Sequence, residues 1–501
     1  MSARPDVPPD DASGDPSCWF NPFEDRLREE CGVFGVFGAD DAAVLTALGL
    51  HALQHRGQEA CGITTYDGAR FHNERHLGLV GDNFAGPDVP QRLPGHAAIG
   101  HNRYSTQGAP VLRNVQPLFA DLSAGGMSIA HNGNLTNSRI LREQLVEAGA
   151  IFQSTSDTEV IIQLVARSRS GKIVDRFIDA LRQIEGAYAL VSLTNKKLIG
   201  ARDPLGIRPL VLGQLGKAWI LASETCALTM IGAKFVRDVK PGEVVIITEA
   251  GVESIMYAPE RRPRPCIFEY VYFARPDSIV DGKPVYQVRK SMGRILAEEC
   301  PAQADVVVPV PDSGVPAALG FAEASHTPFE HGIIRNHYVG RTFIQPTQTI
   351  RDIGVRMKHS ANRAQIEGKR VVLIDDSIVR GTTSRKIVQM MREAGATEVH
   401  FRSASPMIKW PDYYGIDTPV RDKLIAATHT LEEIRAELGC DSLGFLSVDG
   451  LYRAMGENGR NDDAAQFTDH CFTGDYPTGL ADSNRQLADK DQQLSFLVEV
   501  A

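Results

Sequence analysis

Residues 371–384, VVLIDDSIVRGTTS, constrain the fold of this chain more than any other stretch. Four apolar, mostly β-branched residues run straight into Asp375 and Asp376. Ser377, two aliphatics and Arg380 follow, then the small polar run Gly381, Thr382, Thr383 and Ser384. Beyond it Ile387, Met390 and Met391 recur at helical spacing. The pattern predicts a buried strand, a polar loop and a helix N-terminus. Small residues at a helix start leave backbone N–H groups open at the positive end of the helix dipole, which suits a phosphate. Paired carboxylates at the strand end suit ribose hydroxyls or a Mg²⁺ ion.

The flanking sequence has the same rhythm. A helix near 288–299, a strand at 305–310, the turn Pro311-Asp312-Ser313-Gly314-Val315, and a helix to Phe321 precede the motif. A strand at 332–334 and a long loop at 335–351 come next, and a strand at 398–403 follows the motif's helix. Strands alternating with helices predict a parallel sheet, whose sites lie at the strands' carboxyl ends. Asp312-Ser313 and Asp375-Asp376 both fall there. The tail after about residue 460 is polar and reads as irregular.

The first half reads differently. Residues 31–260 are strand-rich, with a helix over 42–54 whose Val44, Leu45, Leu48 and Leu53 share a side. Short strands run into His101-Asn102-Arg103 and His131-Asn132-Gly133-Asn134, and a helix opens near Thr158 with Ser156 or Asp157 as N-cap. Turn signals punctuate 187–257, so two β layers with helices outside fit. The basic, proline-rich residues 261–265 mark a junction between the halves.

With 501 residues, two or three domains are expected. A net charge of −9 argues against a nucleic-acid binder. No apolar run reaches membrane-spanning length and no secretory signal is visible, so neither nucleic acid nor membrane is an expected partner. Eight scattered cysteines without a CxxC pair give no zinc ribbon and no disulfide framework, which fits a reducing cytoplasm.

Residues 1–30 hold five prolines, and eight acids against three bases, and read as a disordered acidic lead. It ends at Cys31, where a buried strand begins. If the lead is cut after Glu30, Cys31 gains a free α-amine of pKa near ~8 that can act as base for its own thiol. Asn132 and the Gly133 N–H can then form an oxyanion hole. Arg103 can grip a substrate carboxylate in two-point fashion, and Asp157 an ammonium. Taken singly, Cys31 reads as core packing, Asn-Gly as a turn, Arg103 as an ion pair and Asp157 as a cap.

Resemblance separates these readings. CGVFG at 31–35, LQHRGQE at 53–59, GHNRYST at 100–106, AHNGNLTN at 130–137 and STSDTE at 154–159 together resemble the class II glutamine amidotransferases. The resemblance implies a four-layer αββα N-terminal-nucleophile hydrolase domain of α+β class at 31–260. Cys31 would be its nucleophile, Arg103 and Asp157 the holders of glutamine, and Asn132 and Gly133 the oxyanion hole. Residues 371–384, with PDSGVP at 311–316 and YFARPDS at 272–278, resemble the type I phosphoribosyltransferases, which bind phosphoribosyl diphosphate (PRPP). That implies an α/β parallel-sheet domain at 261–465, followed by a tail at 466–501.

The combination resembles the glutamine–PRPP amidotransferase family. Its reaction, the first committed step of purine synthesis, turns PRPP, glutamine and water into 5-phosphoribosylamine, pyrophosphate and glutamate. By that resemblance Ser313, Asp375 and Asp376 would hold one Mg²⁺. Asp312, Ser313 and Gly314 would face the pyrophosphate, and Arg380, Gly381, Thr382, Thr383 and Ser384 the 5-phosphate. The loop at 335–351, with Arg335, Arg341 and Arg351, would close as a lid. A removed propeptide at 1–30, a homo-oligomer (a tetramer) and purine-nucleotide inhibitors are also implied. Some relatives carry a [4Fe–4S] cluster on four cysteines. Here Cys266 and Cys471 remain, while Asp412 and Thr468 stand at the other two positions, so no cluster is expected. No sugar-isomerase or ATP-pyrophosphatase partner domain is visible, which argues against glucosamine-6-phosphate or asparagine synthesis. The intact reactive residues argue against a PRPP-binding regulator without turnover.

Overall fold

The computed structural model describes residues 31–104, 111–335, 359–416, 418 and 420–486. The acidic lead, Ser105 and Thr106, and nearly all of the expected lid lie outside the described residues.

Two antiparallel sheets make up the first half. The seven-stranded sheet runs, edge to edge, Lys234–Asp238, Val211–Leu215, Ala218–Ala222, Gly32–Phe37, Ala97–Arg103, Ala60–Tyr66 and Phe71–Leu77. The six-stranded sheet runs Gly251–Met256, Glu243–Thr248, Leu198–Arg202, Gly186–Thr194, Gly125–Leu135 and Leu118–Leu122. Val33, Phe37, Ile99, Val191, Leu212 and Val245 meet between the sheets. Each of these side chains is almost wholly removed from water, worth roughly 1.5–3 kcal/mol for the larger ones. Helix Ala42–Ala52 covers the outer face of one sheet, and helices Thr158–Arg167 and Ile173–Leu181 that of the other. The result is the four-layer αββα arrangement.

Helix Ala42–Ala52 corrects one expectation. Its buried face is Ala42, Ala43, Thr46, Ala47 and Leu50, whereas Leu48 is 42% exposed. Small side chains let the helix lie close on the sheet beside Leu50, and Leu48 turns outward. Asp157 holds the N-cap position of helix Thr158–Arg167 without a side-chain cap bond, while the neighbouring Ser156 hydroxyl accepts from the Thr158 N–H at 3.3 Å.

The second half is built on a four-stranded parallel sheet, in the order Val306–Pro309, Arg370–Asp375, Glu398–Ser403 and Ser442–Phe445. Helices Val315–Ser325, Thr382–Glu393 and Leu431–Leu438 form the crossovers. The expected strand at 332–334 is not part of this sheet. Ile333–Arg335 pairs antiparallel with His359–Ala361 as a separate ribbon.

From 460 to 486 the chain carries two short helices, His470–Thr473 and Ala481–Gln486, in otherwise irregular backbone, yet it is packed against the rest. Phe467, Cys471 and Phe472 are buried, and Asp482 accepts from the N–H groups of Arg139 (2.8 Å) and Ile140 (3.1 Å) at the start of helix Ser138–Glu147. One apolar core runs across the junction: Ala187, Leu205 and Ile207 of the first half pack with Ile267, Phe268 and Tyr414 of the second.

Candidate active sites

Cys31 opens the central strand of the seven-stranded sheet and is 7% exposed. Its Sγ lies 3.5 Å from the Tyr104 carbonyl oxygen. Burial pushes the thiol up to about 11, against the pull of the Tyr104 contact and the Arg103 charge. A thiol this reluctant to ionise needs a base at hand. Arg103, Asp157 and Glu59 are all near enough for their charges to act on it.

Arg103 ends the neighbouring strand Ala97–Arg103 and is 4% exposed, and burial pulls its guanidinium below the ordinary range. Asp157 is buried, which would raise its carboxyl. The His131 imidazole, 3.6 Å away, and the Leu135 N–H, 3.0 Å away, outweigh this and hold it low. A carboxylate kept ionised here suits a substrate ammonium.

Asn132 carries the plainest sign of a ligand. It is completely buried, yet neither its amide oxygen nor its amide nitrogen has a hydrogen-bond partner. Leaving each such atom unmatched costs about 1–3 kcal/mol. Next to it Gly133 has φ +130°, and a Cβ there would meet the Ala187 carbonyl oxygen at 2.1 Å. Only glycine fits, and its conformation departs from the regular strand that carries it.

At the second site the expected loops converge on adjacent parallel strands. Asp375 and Asp376 end Arg370–Asp375, each 6% exposed. The Val310 N–H donates to the Ile374 oxygen at 2.8 Å, which ties the 311–314 turn beside them. Gly314 is pressed against that carbonyl; a Cβ would stand 2.5 Å from it. Asp375 Oδ1 accepts from the Asp376 N–H at 2.9 Å, and Asp376 Oδ1 accepts from the Ser377 hydroxyl at 2.6 Å. Asp376 Oδ2 and Ser313 Oγ are buried without partners. Oxygen donors of this kind fit a hard cation such as Mg²⁺.

Gly381, at φ +78°, stands before helix Thr382–Glu393. It has no side chain to cap that helix, so the first-turn N–H groups face the loop, and Thr382 Oγ1 is buried without a partner. Thr383 and Ser384 lie in the same first turn, and Arg380 immediately precedes it. Asp312 is the exception among the expected residues. It is largely exposed and forms an ion pair with Arg335, at the root of the loop expected to close.

Two arrangements escaped sequence reasoning. The first is a buried charge network across the junction. Arg56 donates to Glu224 and to Glu269, His55 lies 2.6 Å from Glu224, and Glu224 accepts from the Ser278 hydroxyl at 2.6 Å and the Arg275 N–H at 2.9 Å. Only the motifs LQHRGQE and YFARPDS hinted at it. The second is the 412–416 loop. Asn134 Nδ2 donates to the Tyr413 oxygen at 2.9 Å, and a Cβ on Gly415 would lie 3.0 Å from Gly133 Cα. No local pattern signals either contact.

Residues 101–230 match the family model described as "Glutamine amidotransferase domain", and residues 277–404 match "Phosphoribosyl transferase domain". Fold and sites together define a glutamine amidotransferase joined to a phosphoribosyltransferase. The amidophosphoribosyltransferase of Rhizobium etli is 64% identical over 466 residues, covering 92% of this chain and 94% of that protein. That of Bacillus subtilis is 49% identical over 455 residues, covering 91% and 95%. A solved structure titled glutamine phosphoribosylpyrophosphate (PRPP) amidotransferase from B. subtilis complexed with ADP and GMP superposes with a TM-score of 0.85 at 48% identity, covering 90% of this chain and 98% of that one. The chain belongs to the amidophosphoribosyltransferase family.

Proposed function

We propose that Cys31 attacks the amide of glutamine held by Arg103 and Asp157, and that the released ammonia displaces pyrophosphate from PRPP bound at 312–314 and 380–384. This is the first committed step of purine synthesis, yielding 5-phosphoribosylamine. The observation that carries the reading is the pair of unmatched buried atoms on Asn132, beside Gly133 and Cys31. Of the two, the Nδ2 amide can donate to the oxyanion that forms when thiolate adds to the glutamine amide. Removal of residues 1–30 would free the Cys31 α-amine as base.

Ser313, Asp375 and Asp376 would hold Mg²⁺, which when bound supplies charge neutralisation for the departing pyrophosphate. Asp375 and Asp376 also reach for ribose hydroxyls, and the Thr382–Ser384 turn takes the 5-phosphate. The domain division near residue 260 belongs to the same reading. So do a cytoplasmic homo-oligomer, a tetramer, and inhibition by purine nucleotides. The last is supported by neighbours titled as complexed with ADP and GMP and as the allosteric regulatory enzyme of purine biosynthesis. No described helix is long and apolar enough to cross a membrane. No iron–sulfur cluster is proposed, because Thr468 spends its hydroxyl on the Arg264 oxygen at 2.6 Å and Asp412 offers no thiolate.

The test is glutamine- and PRPP-dependent pyrophosphate release. Cys31→Ala should abolish glutamine use and keep ammonia-dependent synthesis; full glutamine-dependent activity in that variant would contradict the assignment. N-terminal sequencing of active enzyme should begin at Cys31.

A further inference from the structure

Away from both sites, Asp412, His470 and Cys471 bring an oxygen, a nitrogen and a sulfur donor within 4.8 Å of one another, all buried. Asp412 Oδ1 is fully used, accepting from the N–H groups of Tyr414 (2.7 Å) and Ile416 (2.8 Å). Its Oδ2 stands 2.6 Å from His470 Nε2, and Cys471 Sγ lies 3.4 Å from the same nitrogen. Yet neither Asp412 Oδ2 nor His470 Nδ1 completes a well-angled hydrogen bond. A simple ion pair would leave these buried atoms unmatched at a cost. Cys266 lies in the same buried core, its backbone bridged to that of Thr468, two residues before His470.

The donor set decides which metal suits. One thiol, one imidazole and one carboxylate do not make the four-thiolate shell of an iron–sulfur cluster. Sulfur and nitrogen donors disfavour Mg²⁺ and Ca²⁺. A buried, mixed S/N/O set suits Zn²⁺. We propose that Asp412, His470 and Cys471 bind one Zn²⁺ that anchors the 412–416 loop against the glutamine site.

Zinc takes Cys471 as its thiolate, so binding releases the thiol proton to solvent. The anchored loop has three holds on the first half. Tyr413 oxygen accepts from Asn134, Tyr414 oxygen accepts from Arg208 Nε (3.1 Å) and Nη2 (2.8 Å), and Gly415 abuts Gly133. The carboxylate that would ligate zinc thus also shapes the segment lying on the oxyanion strand.

The full-length enzyme, expressed in zinc-supplemented medium and desalted without chelator, should carry about one zinc per chain by elemental analysis. Cys31→Ala should retain it, and Cys471→Ser and His470→Gln should retain ~10-fold less or lower still. Because those variants can misfold, the wild-type chain loaded with Co²⁺ provides an independent readout. It should show thiolate-to-cobalt charge transfer and the intense visible bands of a tetrahedral site. Zinc stripping should lower the thermal midpoint and reduce glutamine-dependent activity relative to ammonia-dependent activity. The site is refuted by wild type that retains no zinc after equimolar loading, by zinc that disappears in Cys31→Ala, or by stoichiometric iron with sulfide. Stripped enzyme with an unchanged ratio of the two activities would refute the anchoring.

Discussion

Asn132 joins two observations at one residue: complete burial and two unmatched polar atoms. Replacing it with alanine removes the proposed oxyanion donor and relieves an unsatisfied group. Asn132→Ala should therefore lower glutamine-dependent kcat by ~10²–10³ with little loss of stability and no loss of ammonia-dependent synthesis. Steady-state assays with the two nitrogen donors, beside a thermal melt, check this. Gly133→Ala should behave oppositely: the Ala187 carbonyl blocks the Cβ, so the strand must shift and stability should fall. At this scale much was legible in the sequence, because Cys31, Arg103, Asn132 and Asp157 lie in short contiguous motifs. Arg56 was not. Its carboxylate partners, Glu224 and Glu269, are 168 and 213 residues away, so no local pattern holds the pairing.

At the scale of elements, the helix Thr382–Glu393 depends on Gly381. A side chain there would be strained at φ +78° and would meet Ile425 Cδ1 at 2.8 Å. Gly381→Val should cost at least ~1–2 kcal/mol and raise KM for PRPP, while iodoacetamide still alkylates Cys31. The buried network between the halves predicts a pH dependence. Burial alone would raise the Glu224 carboxyl, but Arg56 and His55 outweigh it and hold it well below its ordinary 4.5. The stability this brings is complete above the unfolded value and is lost as pH falls through the depressed native one. Glu224→Gln should cost ~3–5 kcal/mol at neutral pH by stranding Arg56. Between pH 4.5 and about 3.5 the variant should lose ~1 kcal/mol less than wild type, read from urea midpoints. The strand–loop–helix at 371–384 was predictable because period, turn and helix start are adjacent there. Helix Ala42–Ala52 was misread because its buried stripe is alanine, which a search for large apolar residues passes over.

For the whole molecule, the two halves share a core and the 412–416 loop, and these contacts are where coupling must pass. Gly415, at φ +121°, lies directly against Gly133. Gly415→Ala should loosen it, releasing more glutamate than pyrophosphate, which paired product assays would detect. Neither the interface nor the packed segment at 466–486 could be read from the sequence. Asn134 and Tyr413 are 279 residues apart, and the segment's polar composition hides Phe467, Cys471 and Phe472, which face the core.

The proposed function has ammonia made at Cys31 pass to the Asp375–Asp376 site rather than mix with solvent. Wild-type enzyme given glutamine labelled with ¹⁵N in its amide, in unlabelled ammonium buffer, tests it when the amine product is trapped and weighed by mass spectrometry. Product carrying the glutamine's isotope ratio, independent of buffer ammonium, is the predicted result. A ratio that falls toward that of the buffer as ammonium rises would contradict it.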